Sequence, residues 1–244
     1  MKNKDKFYFY SQKLHQNSHV LKKLFQMIDF YTWFTPNGRK VALMLEETGI
    51  EYTTFPININ NKEQFQPHFL EISPNNRIPA IIDRDNNNYS LFESGAILLY
   101  LAEKSGQFLN TSDRNVYWRT MEWLMWQMGG VGPMFGQVHH FTKYNKGISE
   151  YAENRYQNEA KRLYGVMNKR LGESEFIGGE DYSIADMSIW PWVARFNWQE
   201  IDLNEFDNVK RWYKEILVRP AVKRAWNVPE NEQPLPDPDD SSSY

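Results

Sequence analysis

The sequence predicts an α/β domain followed by an all-α domain, and three observations predict it. Two strand-like runs, Ile28 to Trp33 and Tyr52 to Ile57, flank a helical pattern. A strand–helix–strand unit of that length implies a parallel pair with a right-handed crossover. A second pair of runs, Ile78 to Ile82 and Tyr89 to Phe92, is separated by the polar turn Asp85-Asn-Asn-Asn88 and reads as a hairpin. From Asp113 onward no strand pattern appears, and the apolar residues recur at helical spacing.

Taken in order, the first strand is rich in β-branched and aromatic residues. Thr35-Pro36-Asn37-Gly38 breaks it and opens a helix whose apolar face is Val41, Ala42, Leu43, Leu45 and Ile50, with Gly49 marking its end. After the second strand comes a polar loop, Asn58 to Lys62, then a short irregular helix, Gln64 to Leu70. Pro79 cannot donate to a sheet ladder, so it belongs at the third strand's start or edge. Glu93-Ser94-Gly95 opens an apolar helix reaching Glu103. The order β-α-β-α-β-β-α is that of a thioredoxin-like domain, expected over residues 27–104.

Lys104 to Ser112 reads as a linker, and the helical domain is expected over 113–228. Its first helix is heavily apolar, from Tyr117 to Met128, and meets Gly129-Gly130-Val131-Gly132-Pro133, where a kink or break is expected. Ile148 to Leu171 is a second long helix. Ser183-Ile-Ala-Asp186 fits a capping box, a structural device that typically contributes about 0.5–2 kcal/mol. Pro191, inside the helix that this box starts, is expected to bend it. Phe206 to Leu217 and Arg219 to Trp226 complete the helices, and the proline-, acid- and serine-rich residues 229–244 read as a flexible tail.

Composition narrows the function. The chain has 244 residues and enough aromatics, 9 Trp, 14 Tyr and 15 Phe, for a sizeable core. A net charge of −3 with no basic stripe excludes a nucleic-acid footprint. No run of about 18 apolar residues exists to span a membrane. Residues 1–26 are basic and aromatic but lack the apolar centre of a secretory signal and contain no Arg. They are expected to lie outside the fold, as an extension from an upstream start codon, and the protein is expected in the cytoplasm. Cysteine is absent, which removes disulfides, thiolate metal ligands and any protein-borne thiol nucleophile. If the chain performs thiol chemistry, the sulfur must arrive on a bound small molecule.

Thr35 and Asn37 lie between a strand's C-terminal end and a helix start, where α/β folds place ligands. A free thiol ionises near pH ~8.5, and donors aimed at its sulfur favour the thiolate. The Thr35 hydroxyl and Asn37 amide are such donors, although Thr-Pro-Asn-Gly equally suits a capped turn. Glu93 and Ser94 begin a helix, which suits a carboxylate or a plain N-cap. His139 and His140 are adjacent and have no third ligand at suitable spacing, so a role lining a second-substrate pocket is preferred over a metal. Met125, Trp126, Met134 and Phe135 are candidates for the same lining or for core. Tyr31 lies within a strand and reads as packing.

Several of these stretches together resemble the bacterial nu class of glutathione transferases, the disulfide-reductase branch. They are Thr35-Pro-Asn-Gly38, Ser73-Pro-Asn-Asn-Arg-Ile-Pro79, Leu91-Phe-Glu-Ser-Gly-Ala-Ile-Leu-Leu-Tyr-Leu-Ala-Glu103, Trp126-Gln-Met-Gly-Gly130 and His139-His-Phe141. The resemblance spans roughly residues 27–228. It implies a cis Ile78–Pro79 bond, with the Ile78 backbone pairing to the cysteinyl part of glutathione. It further implies Glu93 and Ser94 on the γ-glutamyl end, Thr35 and Asn37 around the sulfur as catalytic groups, Gln64 and Arg77 on the glycyl end, and Arg155 facing the pocket. Arg155 is otherwise a solvated helix charge. The implied activity is a glutathione-dependent disulfide-bond oxidoreductase acting on a small-molecule or peptide disulfide, without a metal, in a homodimer. Conjugation of glutathione to electrophiles and a non-catalytic glutathione-binding regulator or carrier stay open beside it.

Overall fold

The computed structural model describes residues 28–240, so the expectation for residues 1–26 lies outside the described residues. Strand β1 (Ile28–Thr32) runs parallel to β2 (Tyr52–Pro56) and antiparallel to β3 (Ala80–Asp83), which pairs antiparallel with β4 (Tyr89–Phe92). The sheet order is β2-β1-β3-β4. Phe30 stands opposite Ile81 in the ladder, and both are fully buried under the helices that cover the sheet.

Helix α1 (Pro36–Thr48) crosses from β1 to β2. Proline at its first position needs no N–H, and Gly49 at φ 68° closes it by donating to the Leu45 carbonyl. Short turns lead through α2 (Pro67–Leu70) to the β3–β4 hairpin, after which α3 (Ser94–Ser105) packs back against α1. The Ile78–Pro79 bond is cis.

The rest of the described chain is helical. Asp113 caps α4 (Arg114–Trp126) by accepting from the N–H groups of Asn115 and Val116. The break expected at Gly129–Pro133 is a π-helical turn, Gln127–Val131, that runs without interruption into α5 (Gly132–Val138) and a second π turn, His139–Tyr144. Two glycines in this stretch lower helical preference, and Pro133 at the start of α5 supplies no N–H to the preceding turn. Wide turns inside helices often mark functional sites.

Helices α6 (Glu150–Leu171), α7 (Ile184–Val193), α8 (Asp207–Leu217) and α9 (Pro220–Trp226) follow. α7 is buried along its whole length and starts with the expected capping box. Asp186 Oδ2 accepts from the Ser183 N–H and hydroxyl, while Oδ1 accepts from the Ile177 N–H and the Trp212 indole. Both carboxylate oxygens are thus used to tie the α7 start to the preceding loop and to α8. The apolar core is continuous from Ile28 in the sheet to Trp226 in α9, so the α/β and helical parts share one interior.

The flexible tail expected over residues 229–244 is corrected for 229–240; residues 241–244 lie outside the described residues. Gln233 Oε1 accepts from Arg39 (2.9 Å) and Arg195 (3.0 Å), two buried arginines that also stack on Trp226. Trp226 donates its indole N–H to the Gln233 and Pro234 carbonyls, and the Tyr213 hydroxyl donates to the Pro236 carbonyl. The segment is anchored because it covers buried cations that have no carboxylate partner among the described residues.

Candidate active site

The C-terminal end of β1 and the start of α1 face the π turn, α5 and α7 across a cavity of about 770 Å³. The α/β half contributes Asn37, Lys40, Arg77 and Glu93. The helical half contributes Gln127, Met128, Gln137, His140 and Trp192.

Asn37 has a fixed orientation. Its Oδ1 accepts from the Trp192 indole N–H at 3.1 Å. An indole N–H can only donate, so the amide carbonyl must face it and the two amide N–H groups are left for a ligand. Trp192 is itself held. Its carbonyl accepts from Gln199 Nε2 at 2.9 Å, and its ring stacks on His139 with centroids 5.7 Å apart. Gln199 is aligned by the Tyr164 hydroxyl, which donates to Gln199 Oε1 at 2.6 Å. A buried polar string therefore runs from α6 to the amide at the start of α1. His139 belongs to this string: burial, with Arg195 adding, pulls its imidazole down to about 4, so it is neutral and can accept from Gln199.

Thr35 caps α1. Its hydroxyl oxygen accepts from the Gly38 N–H at 3.1 Å, which leaves the hydroxyl hydrogen unspent. Gly38 is required there, because a Cβ would sit 2.4 Å from Thr32 Oγ1 and 2.6 Å from the Trp33 carbonyl. The capped-turn reading and the donor reading of Thr35 are thus compatible, although Thr35 itself does not line the cavity.

Glu93 holds φ 72° and ψ 112°, a strained backbone for a non-glycine residue, and strain of this kind concentrates at ligand sites. Its exposed side chain lines the cavity beside that of Arg77. Ser94 is 3% exposed and lies behind Lys40, which donates to its hydroxyl at 3.2 Å. Ile78 sits just ahead of the ladder's first pair and packs against Ile57, Phe69 and Ala80.

The structure brings Asn37, Arg77 and Glu93 together at the cavity, with Ser94 one layer back. It does not bring Gln64 or Arg155 there. Gln64 is buried under the α2 region with its Oε1 unpartnered. Arg155 does not face this cavity: it is exposed on α6 and lines a separate cleft with Met134, Tyr156 and Glu159. The adjacent histidines split, His140 lining the cavity and His139 packing in the core. Met125, Trp126, Met134 and Phe135 all lie off the cavity, whereas Met128 is on it. Tyr31 stacks on Phe55 at 4.9 Å, as packing. Among the described residues no group of three or more His, Asp or Glu is placed to hold a metal.

Lys40, Gln127 and Trp192 are the residues that sequence reasoning missed. Lys40 follows Asn37 by one helical turn and so shares its face, a signal the sequence did carry. Trp192 and Gln127 come from the other half of the chain; Gln127 lies in the Trp126–Gly130 stretch that carries the resemblance, whereas nothing local marks Trp192.

The chain is similar to known proteins. The Glutathione S-transferase, N-terminal domain profile matches residues 26–103, and the Glutathione S-transferase, C-terminal domain profile matches 150–215. Disulfide-bond oxidoreductase YfcG of Escherichia coli is 50% identical over 203 residues, covering 82% of this chain and 94% of that protein. Disulfide-bond oxidoreductase YghU of the same organism is 42% identical over 222 residues, covering 85% and 77%. A glutathione transferase from Pseudomonas putida, crystallised with one glutathione disulfide per subunit, superposes with a TM-score of 0.79 at 42% identity, covering 84% of this chain and 92% of that one.

Proposed function

The chain belongs to the glutathione transferase family, and from that premise we propose that it is a glutathione-dependent disulfide-bond oxidoreductase. The observation that carries the reading is the Asn37 amide. Trp192 holds it with both N–H groups free at the start of α1, in a chain that has no cysteine of its own. Those donors and the positive end of the helix favour a thiolate on a bound peptide thiol.

The chemistry is thiol–disulfide exchange. The bound glutathione thiolate attacks one sulfur of a substrate disulfide. A new S–S bond joins glutathione to that half, and the other half leaves as a thiolate and takes a proton from solvent. A second glutathione thiolate then attacks the mixed disulfide at the glutathione sulfur. Glutathione disulfide remains in the site and the second substrate half leaves reduced. The two electrons come from the two glutathiones. Asn37 stabilises the sulfur that carries charge in each step, with Thr35 beside it. Glu93 and Ser94 hold the γ-glutamyl end, Ile78 offers its main chain to the cysteinyl part, and Arg77 attracts carboxylates at the cavity mouth.

This reading places the protein in the cytoplasm, where reduced glutathione is maintained, and as a homodimer. Among the described residues no helix is long and apolar enough to cross a membrane. Light scattering on the purified chain tests the dimer. Turnover with 2-hydroxyethyl disulfide and glutathione, set beside turnover with an aryl halide, tests the reaction class. The reading expects the disulfide to be favoured; conjugation as the faster reaction would replace it.

A further inference from the structure

Lys40 is a buried, charged cavity group that the thiol chemistry leaves unused. Its side chain is 1% exposed, yet it lines the cavity with Arg77, Glu93 and Gln127. Its ammonium donates to Gln127 Oε1 at 2.6 Å and Ser94 Oγ at 3.2 Å, and lies 3.6 Å from Met128 Sδ. All three partners are neutral. No carboxylate pairs with it among the described residues. A cation buried without a counter-charge is unfavourable and persists where something else uses it.

The ligand has the matching shape of charge. The γ-glutamyl end of glutathione is an amino acid, with an ammonium and a carboxylate on one carbon. Such a zwitterion is held most tightly where the protein sets an anion and a cation side by side, beyond what a helix start offers its carboxylate. Glu93 supplies the anion. Ser94 is the adjacent residue and holds no charge, and its hydroxyl already accepts from Lys40 and points to Met128 Sδ at 3.8 Å. We propose that Lys40 is the cation that seats the γ-glutamyl carboxylate, with Ser94 and Gln127 holding its ammonium in place until the ligand arrives. This deepens the glutathione reading above and rests on it.

The seat has a proton signature. Burial lowers the Lys40 ammonium to about 7, with Glu93 opposing. A carboxylate brought against it favours the charged form, so near neutral pH binding draws a proton onto Lys40. The other charged or titratable groups at the cavity are Arg77, Glu93 and His140. The Gln127–Val131 turn brings no charge, Asp186 on α7 is turned toward Trp212 and Ser183, and Arg39 on α1 is turned toward Gln233.

The test is calorimetric binding of S-methylglutathione, which has no thiol proton, at about pH 7.5 in two buffers of different ionisation enthalpy. The ligand's own amino group, drawn to Glu93, takes up protons in every variant. The quantity read is therefore the difference between wild type and Lys40→Arg. Wild type is expected to take up roughly half a proton more per ligand than Lys40→Arg, with affinities within a few-fold of each other. Lys40→Met is expected to bind at least about tenfold more weakly. His140→Asn is expected to keep the wild-type uptake, and S-methyl-γ-glutamylcysteine, which lacks the glycyl carboxylate, is expected to elicit it. Equal uptake in wild type and Lys40→Arg, or unchanged affinity in Lys40→Met, overturns the assignment while leaving the glutathione reading intact. Failure of wild type to bind S-methylglutathione at all removes the glutathione reading and this assignment with it. Should Lys40→Met fail to fold, the wild-type and Lys40→Arg difference decides alone.

Discussion

Asp186 and Lys40 are both buried ionisable groups, and the contrast between them separates structure from function in this molecule. Asp186 uses both oxygens on four donors from the protein itself, and nothing about it faces open space. Burial raises its carboxyl pKa, with those hydrogen bonds opposing. Lys40 has only neutral partners and borders a cavity. A buried charge whose partners are all internal holds the fold, whereas one left short of a counter-charge beside a cavity is waiting for a ligand.

Removing each group should therefore fail in different ways. The largest expected effect is Asp186→Ala, which strands the Ile177 N–H and the Trp212 indole and should lower unfolding free energy by about 3 kcal/mol or more, read by urea unfolding. If stability held while only activity fell, the contrast would be broken. Asn37→Ala removes a donor at the charged sulfur and should cut reductase kcat/KM by about 100-fold with a near-unchanged melting temperature. Gln64→Ala, off the cavity, should change turnover several-fold at most; equal small effects of the two would refute the site. Trp192→Phe keeps the packing but frees the Asn37 amide to rotate, and should lower kcat by about tenfold with KM for glutathione little changed.

A further effect is on acid stability. His139 is held at about 4 in the fold, against an ordinary value near ~6.5, so the unfolded chain binds more protons between them. Its contribution to stability is full above the unfolded value and is lost as pH falls through that window. His139→Gln should flatten the fall in melting temperature from about pH 6.5 to 4.

Local signals carried the sequence reading and distant ones did not. The Ser183–Asp186 capping box and the β-α-β start of the chain were legible because each is decided within a few residues. The cis bond at Pro79 followed from the family likeness and is present. Residues 229–240 were misread because their composition resembles disordered chain, while their anchors include a glutamine held between arginines 194 and 38 residues away in sequence. For Lys40 the shared helix face with Asn37 was legible, but its pairing with Gln127, 87 residues on, was not. The glycine-rich break was placed correctly, but its form, a widened helical turn that carries Gln127 and Met128 to the cavity, depends on packing between the two halves.

The central claim is that this cysteine-free chain borrows a sulfur and ionises it at Asn37. The direct measurement is an ultraviolet titration of the thiolate of glutathione bound to wild type and to Asn37→Ala. The account predicts a bound thiol pKa at least about one unit below the free value of ~8.5, returning toward it in Asn37→Ala. A bound thiol that titrates like free glutathione in the wild type, or equally in both proteins, would contradict it.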